Sequence, residues 1–467
     1  MERIEAADFY DIVQVEDPRV SPDCEQVAFV RKVQDDDESY AATVYVVSTG
    51  GEWLRRFTVD EGVDSQPRWS PSGDRLAFVS TRGADDDRPQ LWVVPTDGGE
   101  ARQVTNVAGG VRGIEWSPDG TRIVLTQGAS EEDREEECDI EVPEEFEPDS
   151  PDPQVVDRTV YRSMERYFDG KYSHVYVVTL GGDRPDEDDE VERLTDGDRD
   201  FEGPTWGDDS TLYYTKNVGD PDPDDSIEYE IREHDLDADE AETLHTTTGW
   251  SGSLTASSDG RVAHPYTDPD QSSLRQTELK VLDAGTGDVA TPTADLDRTV
   301  GYMAAPQWGP DEERLFFTTP DEGAGTLWSV RWDDTDAERV LRDEGSSLDD
   351  AHVGEDVVAF VRSEWDHPGD LFVSTLGGSE QHRLTRVNAD LLDDRAVPQP
   401  EEIRFENDGE QLQGWVLTPP DFEGTERSFA ESSSGERSEP RDPDEQYPLA
   451  VEVHGGPHAM WTTSGTM

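Results

Sequence analysis

The chain has 467 residues, in which 110 acidic residues stand against 39 basic ones and give a formal net charge of −71. A surface this negative repels phosphate backbones and anionic lipid headgroups, so nucleic acids and membrane surfaces are excluded as partners. The length is too great for one ordinary domain and suits one large repeat domain followed by part of another.

The acidic residues are concentrated between regularly spaced apolar runs that carry 12 Trp, 13 Tyr and 14 Phe. This spacing favours a folded protein with an acidic surface over a disordered chain. Only four of the basic residues are lysines. Acidic, lysine-poor surfaces are typical of cytoplasmic proteins of salt-accumulating halophiles, because salt screens the self-repulsion of the surface. We therefore expect a high-salt (K+) environment and stability that rises steeply with KCl.

The N-terminal segment, residues 1–17, contains no apolar core of signal-peptide length, and no apolar run of membrane-spanning length occurs in the sequence. A cytoplasmic protein is expected. Cys24 and Cys138 indicate neither a disulfide framework nor a metal cluster, so both are predicted to be free thiols. No metal and no cofactor is indicated.

A short unit recurs through residues 18–392. It consists of a Trp or another apolar residue, a Ser-Pro-Asp-Gly-like turn and an alternating apolar strand. Clear copies lie at residues 19–29, 68–78 and 115–125, and degenerate copies begin near residues 205, 255, 307 and 352. Pro fixes φ, Asp bonds back to the backbone and Gly accepts a positive φ, so the motif suits a tight turn. Trp69, Trp116, Trp206 and Trp308, which precede these turns, are predicted to pack between units.

A second signature, an alternating strand that leads into a hairpin, follows each turn, as at residues 44–51, 91–99, 175–182 and 371–378. A period of about 45–52 residues fits four short strands per unit. Stacking seven such sheets around an axis buries apolar faces that one sheet cannot bury alone. The prediction is an all-β, seven-bladed β-propeller over residues 18–392.

One interval between units is longer, because an acidic segment separates the strand at residues 122–127 from its hairpin strand at residue 175. Residues 129–158, which include the run Glu131 to Glu137, are predicted to be a disordered or loosely held insertion. A helical site for a partner is the alternative interpretation.

The repeat pattern does not continue in residues 393–467. Residues 402–420 predict a hairpin around an Asn-Asp-Gly turn, and the polar stretch 423–446 predicts a flexible surface loop. The apolar residues 447–453 predict a strand that ends in His454, Gly455, Gly456 and Pro457.

Tandem Ser-Pro-Asp-Gly repeats, a hairpin ending Gly-Trp-Val-Leu-Thr-Pro-Pro, and Val-His-Gly-Gly-Pro-His together resemble the prolyl oligopeptidase family of serine peptidases. The similarity covers about residues 5–467 and is closest to the acylaminoacyl peptidase and dipeptidyl aminopeptidase-like branch. It implies a propeller that limits access of short peptides to an α/β-hydrolase active site, where a Ser-Asp-His triad forms an acyl-enzyme. In these 467 residues the α/β-hydrolase domain is expected to be incomplete.

The resemblance assigns the backbone N–H of Gly455 or Gly456 to the oxyanion hole, with His454 and Pro457 supporting the loop. His454 is not expected to be the catalytic base, because the family's triad histidine follows the nucleophile. No Gly-x-Ser-x-Gly occurs, and the near match around Ser251 falls inside the repeats. The triad is therefore expected beyond Met467, on a separate C-terminal catalytic fragment or in a truncated or frameshifted frame.

Two functions follow. One is a serine peptidase that acts on short peptides or acyl-peptides, of which this chain is the N-terminal portion. Alone, the chain is expected to be inactive, because it lacks the nucleophile and the base. The alternative is a non-catalytic, TolB-like propeller that binds peptides or proteins.

Overall fold

Seven four-stranded antiparallel sheets follow one another along the chain, and each is built from one contiguous segment. The computed structural model describes residues 2–35, 39–59, 62–83, 87–143, 146, 162–163, 166–167, 169–181, 189–219, 227–301, 306–342, 345–419, 448–454 and 460–462. Each sheet is a meander, so the predicted seven-bladed β-propeller is confirmed.

The first three blades occupy residues 13–193. Blade 1 has β1 (Val13–Val20), β2 (Gln26–Gln34), β3 (Tyr40–Ser48) and β4 (Leu54–Arg56). Blade 2 has β5 (Asp64–Trp69), β6 (Arg75–Ser80), β7 (Gln90–Pro95) and β8 (Arg102–Gln103). Blade 3 has β9 (Arg112–Trp116), β10 (Arg122–Ala129), β13 (Tyr172–Thr179) and β14 (Glu190–Arg193), and its insertion contributes the small pair β11 (Arg162–Ser163) and β12 (Arg166–Tyr167).

The remaining four blades follow the same plan. Blade 4 has β15 (Phe201–Trp206), β16 (Thr211–Asn217), β17 (Glu228–Asp235) and β18 (Glu240–Thr248). Blade 5 has β19 (Thr255–Ala256), β20 (Arg261–Thr267), β21 (Thr277–Asp283) and β22 (Val289–Ala290). Blade 6 has β23 (Gln307–Trp308), β24 (Arg314–Asp321), β25 (Ala324–Arg331) and β26 (Glu338–Leu341). Blade 7 has β27 (Ser346–Val353), β28 (Val357–Glu364), β29 (His367–Thr375) and β30 (His382–Arg383).

Helices are short and lie outside the blades. In the part of the chain that the structure describes, two 3-10 helices span Ala6–Asp11 and Ser272–Leu274, and two α-helices, α1 and α2, span Glu131–Glu135 and Ala389–Leu392. No helix in the described residues is long and apolar enough to cross a membrane. After α2 the chain forms one hairpin, β31 (Glu401–Asn407) with β32 (Glu410–Val416), as the sequence predicts.

The first strand of every blade lies at the centre of the molecule. These seven inner strands contact one another in chain order, and the ring closes where β27 meets β1. The propeller therefore has two faces. We call the end with the turns between the first and second strands the turn face, and the end with the turns between the second and third strands the hairpin face.

The Ser-Pro-Asp-Gly segments form the turns that the sequence predicts. In blade 3 the buried Ser117 Oγ donates to Asp119 Oδ1 at 2.6 Å and accepts from the backbone N–H of Arg122 at 2.9 Å. Gly120 closes this turn at φ +70°, a value that favours glycine. One short motif thus fixes where each inner strand ends.

The apolar core is divided among the spaces between adjacent blades. One cluster joins Leu91 of blade 2 to Ile123 and Tyr176 of blade 3. Another joins Phe29 of blade 1 to Leu371 of blade 7. Because each sheet buries both faces against neighbours, the core is a ring of layers rather than a single cluster.

Four tryptophans in front of the turns bind adjacent blades, as predicted. Each indole Nε1–H donates to a backbone carbonyl of the preceding blade's inner strand, at 2.9–3.3 Å: Trp69 to Arg19, Trp116 to Arg68, Trp206 to Glu115, and Trp308 to Thr255. These residues therefore serve packing between blades.

Blade 7 meets blade 1 along a boundary that we call the closure seam, formed by residues 2–20 and 350–396. Among the described strands, none belongs to both of these blades. Asn388 instead forms two buried hydrogen bonds of 2.8 Å with Val13, accepting from its N–H and donating to its carbonyl. At one edge Arg395 pairs with Asp8 and Glu2. Side chains therefore close the ring, together with one backbone bridge, in which the Glu2 N–H donates to the Asp394 carbonyl at 2.9 Å and the Ala396 N–H donates to the Glu2 carbonyl at 2.7 Å.

Two expected boundaries differ from the structure. Strand β1 begins at Val13, before residue 18, because a bulge at Asp17 (φ +53°) interrupts the apolar alternation that the repeat motif follows. The acidic insertion, expected to be disordered or loosely held over residues 129–158, is folded over its described part, 129–143. Ser130 caps α1 by accepting from the Asp133 N–H.

The insertion is held by buried charges. Arg134 is buried and contacts His174, while Asp139 accepts from the Tyr176 hydroxyl at 2.7 Å and pairs with Arg193 at 2.6 Å. The sequence predicts a solvated loop because the pairing partners lie in the blade, distant along the chain. Apart from Phe146, the rest of the insertion up to residue 158 lies outside the described residues.

The strand predicted at residues 447–453 is not formed in the described residues 448–454. Leu449, Val451 and Val453 are 87, 73 and 83% exposed. A strand requires a hydrogen-bonding partner, and within the described chain none pairs with this segment. Tyr447 and the predicted loop 423–446 lie outside the described residues.

Candidate functional site

Polar residues line the axis at one equivalent position of every blade. This position directly precedes the tryptophan position of the repeat, and its occupants are Arg19, Arg68, Glu115, Thr205, Thr255, Gln307 and His352. Several of their side chains reach the neighbouring blade. Gln307, for example, donates from Nε2 to the Ala351 carbonyl at 2.8 Å and accepts from the Val353 N–H at 3.0 Å.

A charged cluster lies where blades 7, 1 and 2 meet. Asp17 pairs with Arg19 at 2.5 Å and with Arg68 of the next blade at 2.9 Å. Its backbone N–H donates to Asp350 Oδ2 at 3.1 Å across the closure seam. Burial opposes ionisation, yet Arg19 and Arg68 hold the pKa of Asp17 below its usual value. Two arginines and two aspartates thus balance each other's charge within a very acidic protein.

His352 completes this cluster as a neutral ring. Its Nδ1 accepts from the Val20 N–H at 3.2 Å, so the ring nitrogen that faces blade 1 carries no proton. Burial and the nearby Arg19 and Arg68 lower the pKa of His352 to about 3. The ring therefore remains uncharged at physiological pH.

A cavity of about 360 Å³ opens beside this cluster at the turn face. Its lining comes from blades 1, 2, 6 and 7 and includes Arg19, Arg68, Trp69, Trp308 and His352. Aromatic faces and guanidinium groups together suit a small polar segment, such as the end of a peptide.

Three carboxyl groups on inner strands are held partly protonated near neutral pH. Burial raises the pKa of Glu115 to about 7, even though its Oε1 accepts from the Trp206 N–H and the Thr205 hydroxyl, both at 3.2 Å. Burial, with the neighbouring Asp200, raises the pKa of Glu202 to about 7. Desolvation by the surrounding protein also raises the pKa of Asp349, to about 6, although part of this side chain is open to solvent. The axis therefore gains negative charge as the pH rises through neutrality.

The hairpin β31–β32 docks on the hairpin face at blade 6. Gln413 Nε2 donates to the Glu322 carbonyl at 3.4 Å, and the Gly323 N–H lies 3.3 Å from Met460 Sδ. The Trp415 ring covers Gly323, where φ is +80° and an added Cβ would lie 2.5 Å from Trp415 Cζ2. Glycine is thus required at this contact. The insertion of blade 3 leaves the propeller from the same face.

The residues predicted for an oxyanion hole fall at the limit of what is described. His454 is exposed and directly follows the apolar stretch 448–453. Gly455, Gly456 and Pro457 lie outside the described residues, as does His458. Their assignment to an oxyanion loop stays a prediction.

The near match to a nucleophile motif is part of blade packing. Ser251 and Ser253 hydrogen-bond to each other at 2.7 Å, and the Gly252 carbonyl between them accepts from Thr215 Oγ1 of blade 4 at 3.1 Å. The axial residues, in contrast, were missed by motif reasoning. Their sequence signal is a polar residue directly before the tryptophan position in all seven units.

Comparison with known proteins connects this architecture to peptidases. A family model described as TolB beta propeller domain matches residues 3–145. The "Uncharacterized peptidase YuxL" of Bacillus subtilis is 27% identical over 98% of this chain and 67% of its own length. "Dipeptidyl-peptidase 5" of Porphyromonas gingivalis is 22% identical over 96% of this chain and 63% of its own length.

Among solved structures, the acylaminoacyl peptidase of Pyrococcus horikoshii superposes with a TM-score of 0.67 at 19% identity. The match covers 90% of this chain and 60% of that protein. This chain therefore spans between 60 and 67% of the length of these three relatives. The shared fold is a propeller of the kind found in peptidases.

Proposed function

We propose that this chain, which is similar to peptidases of the acylaminoacyl peptidase type, forms the N-terminal, propeller-bearing part of a serine peptidase. The substrates would be short peptides or acyl-peptides, cleaved through an acyl-enzyme. The proposal depends mainly on one observation, the docking of β31–β32 on the hairpin face through Gly323 and Trp415. A propeller that acts alone does not require this contact.

In this proposal the propeller limits which substrates reach the catalytic domain. An axis enclosed by seven inner strands would admit an extended peptide more readily than a folded protein. The cluster of Arg19, Arg68 and Asp17 offers both signs of charge to the two ends of a short peptide. A peptide therefore meets complementary groups without a large net attraction.

The oxyanion hole is proposed at the loop after residue 453. The backbone N–H of Gly455 or Gly456 would be one donor, and His454 and Pro457 would support the loop. We propose that the nucleophile, the acid and the base of the triad belong to the part of the relatives' length that this chain does not match. By itself the chain is then expected to be inactive, since one donor without nucleophile and base gives little catalysis.

The cellular setting proposed is a cytoplasm rich in K+. A net charge of −71 destabilises the compact state unless counterions screen it. Thermal melting in dilute buffer and in molar KCl tests this point. We expect a large upward shift of the melting temperature with KCl, and a melting temperature that does not respond to salt would contradict a halophilic protein.

A second candidate is a non-catalytic propeller that binds peptides or proteins. The match of residues 3–145 to a TolB propeller favours it, because that match requires no hydrolase segment. The two candidates differ in whether a catalytic polypeptide joins the hairpin face.

The deciding experiment begins with the reading frame downstream of codon 467. We expect it to encode Gly-x-Ser-x-Gly followed by Asp and His. Its product, co-expressed with this chain, should react with a fluorophosphonate probe and hydrolyse chromogenic dipeptide and acyl-amino-acid anilides. The chain alone should do neither. The absence of such a frame favours the binding module, and labelling of the chain alone would contradict the missing nucleophile.

Two variants test the oxyanion assignment in the active pair. Gly455→Pro and Gly456→Pro each remove one backbone N–H, and loss of the true donor should lower kcat by about 10²–10³-fold. His458→Ala, in the same loop, is the matched control and should retain most of the activity. Equal effects of all three variants would contradict a specific backbone donor.

A further inference from the structure

We propose that the turn between β28 and β29 of blade 7 binds a divalent transition-metal ion, of which Zn²⁺ fits best, through Glu364, Asp366 and His367. One nitrogen or carboxylate oxygen from each of the three residues can be chosen so that all three atoms lie within 4.8 Å of one another. The three residues fall within one tight hairpin turn, so the strands on both sides hold them together. Neither the comparisons nor the peptidase proposal requires this site.

The histidine is the observation that points to a ligand. His367 is only 5% exposed, and neither of its ring nitrogens has a hydrogen-bond partner. A buried ring nitrogen without a partner is costly, since the desolvation of each such polar group is uncompensated. A metal ion at Nε2 would satisfy it.

The ring is oriented for such a role. Nε2 faces Glu364, with Oε1 at 3.9 Å, and Nδ1 faces Asp370, with Oδ2 also at 3.9 Å. The Phe372 ring stacks on the imidazole at a centroid distance of 6.5 Å and an interplanar angle of 23°.

Asp370 supplies the outer partner that metal-binding histidines usually have. It is fully buried and fixed by the Thr385 hydroxyl at 2.6 Å, the Val387 N–H at 2.9 Å and the Arg383 guanidinium. On metal binding, a shift of about 1 Å would bring Nδ1 within hydrogen-bond distance of this carboxylate, which would then hold the proton on Nδ1 and present Nε2 to the metal. This geometry places His367 between Asp370 and the metal ion.

The carboxylates complete the ligand set. Glu364 Oε1 pairs with Arg362 Nη2 at 2.9 Å and also faces His367 Nε2, so this carboxylate can lie between the arginine and the ion. Asp366 is exposed and can close over the ion. Two ligands bonded at about 2.1 Å to one zinc ion stand at most about 4.2 Å apart, so small movements of these side chains complete the site.

The donor set selects the class of metal. One imidazole nitrogen with two carboxylate oxygens suits Zn²⁺, whereas Ca²⁺ and Mg²⁺ prefer oxygen ligands alone. Arg362 and Arg383 lie beside the site and weaken the attraction for any cation. We therefore expect one bound ion of moderate affinity, which braces the hairpin face of blade 7 beside the blade that contacts Trp415.

Cobalt(II) and zinc titrations of the 467-residue protein test the proposal. Molar KCl in the buffer suppresses diffuse binding to the many surface acids. We expect one equivalent of Co²⁺ to give visible ligand-field absorption that Zn²⁺ displaces, and Zn²⁺ to raise the melting temperature. His367→Gln should abolish the absorption, and Asp366→Asn should weaken binding by about tenfold or more.

Asp356→Asn is the matched control, because it removes one negative charge from the opposite turn of the same blade. It should leave the titration unchanged. Imidazole ¹⁵N NMR of the wild-type protein provides a second readout that does not depend on whether a variant folds, and one buried ring nitrogen should shift on addition of Zn²⁺. Absence of stoichiometric binding, no shifted ring, or full binding by folded His367→Gln would overturn the site.

Discussion

The propeller and the segment after it are both acidic and both contain apolar strand-like runs, yet only one of them buries those runs. Leu125 in blade 3 is fully buried, whereas Leu449 in the C-terminal segment is 87% exposed. The difference lies in neighbours rather than in composition, because every blade has another on each side. An alternating apolar sequence becomes a buried strand only where a second sheet covers it.

Tryptophans in the two regions differ in burial in the same way. Trp116 is 7% exposed and donates to a carbonyl of the adjacent blade. Trp415 donates to the carbonyl of Trp461, a residue that is itself 51% exposed. Matched substitutions in the two regions can therefore separate interactions that hold the propeller from interactions that merely occur on its surface.

Asn388→Ala should have the largest effect on the propeller. It removes both hydrogen bonds that join Asn388 to Val13 and leaves a buried N–H and carbonyl unpaired, at a cost of roughly 2–4 kcal/mol. Chemical denaturation measures the free energy of unfolding. Asn407→Ala, at the exposed end of β31, is the matched control with an expected change near zero. Equal effects would show that the closure seam is not a special point of the ring.

Glu115→Gln should stabilise the protein above neutral pH. The folded-state pKa of Glu115, about 7, exceeds the ordinary value of 4.5, so its contribution to stability is present at low pH and lost as the pH rises through about 7. The variant keeps the acceptor oxygen without the charge and should be more stable by roughly 1–3 kcal/mol at about pH 8.

The comparison of melting curves for Glu115→Gln and wild type across pH 5–8 checks this sign. The advantage of the variant should shrink as the pH falls below 7, which separates it from the general loss of charge repulsion that both proteins share. Glu406→Gln, on the exposed hairpin, is the control. A difference between variant and wild type that is independent of pH would contradict the raised pKa.

Trp116→Phe should cost about 1 kcal/mol, because one hydrogen bond between blades is lost while most of the apolar packing is retained. Trp415→Phe makes the same chemical change in the hairpin and should leave the unfolding of the propeller within experimental error. Urea denaturation of both variants is the measurement. A larger loss for Trp415→Phe would mean that the hairpin supports the propeller.

Removal of residues 399–467 should have the smallest effect on the stability of the propeller. It should also reduce self-association, because exposed apolar side chains such as Leu449 and Val451 are lost. A cut at residue 393, the boundary predicted from the sequence, also removes Arg395 and its pairs with Asp8 and Glu2. The shorter form should melt lower than the longer one. Melting curves and light scattering of both forms locate the boundary.

The repeating architecture is readable in the sequence because each turn and each hairpin depends on residues close together in the chain. Ser117, Asp119 and Gly120 form a turn by themselves, so the pattern of seven copies predicts seven blades. The hairpin at residues 401–416 is predicted for the same reason.

What the sequence did not reveal depends on partners far along the chain. Arg134 sits within a run of glutamates and resembles a surface residue, yet it is buried against His174 of the blade. Asp17 finds Arg68 in the next blade and Asp350 in the last one. Such pairings decide which charges are buried, and no local pattern encodes them.

The axial residues are an intermediate case. A polar residue before the tryptophan position recurs in all seven units, but its meaning follows only once the inner strands are known to surround one axis. The oxyanion assignment of Gly455 and Gly456 rests on resemblance to the peptidase family and awaits the kinetic test.

Because each blade is one contiguous segment, its strand pairs form between residues that are near in sequence. The exception is the closure seam, where Val13 and Asn388 are separated by 375 positions. Pairings between residues close in sequence close small loops and form quickly. The contact between Val13 and Asn388 closes a loop that contains nearly the whole propeller, so it forms more slowly. The ring should therefore form blade by blade and close last, and amide hydrogen exchange at Val13 should report the first opening of the native protein.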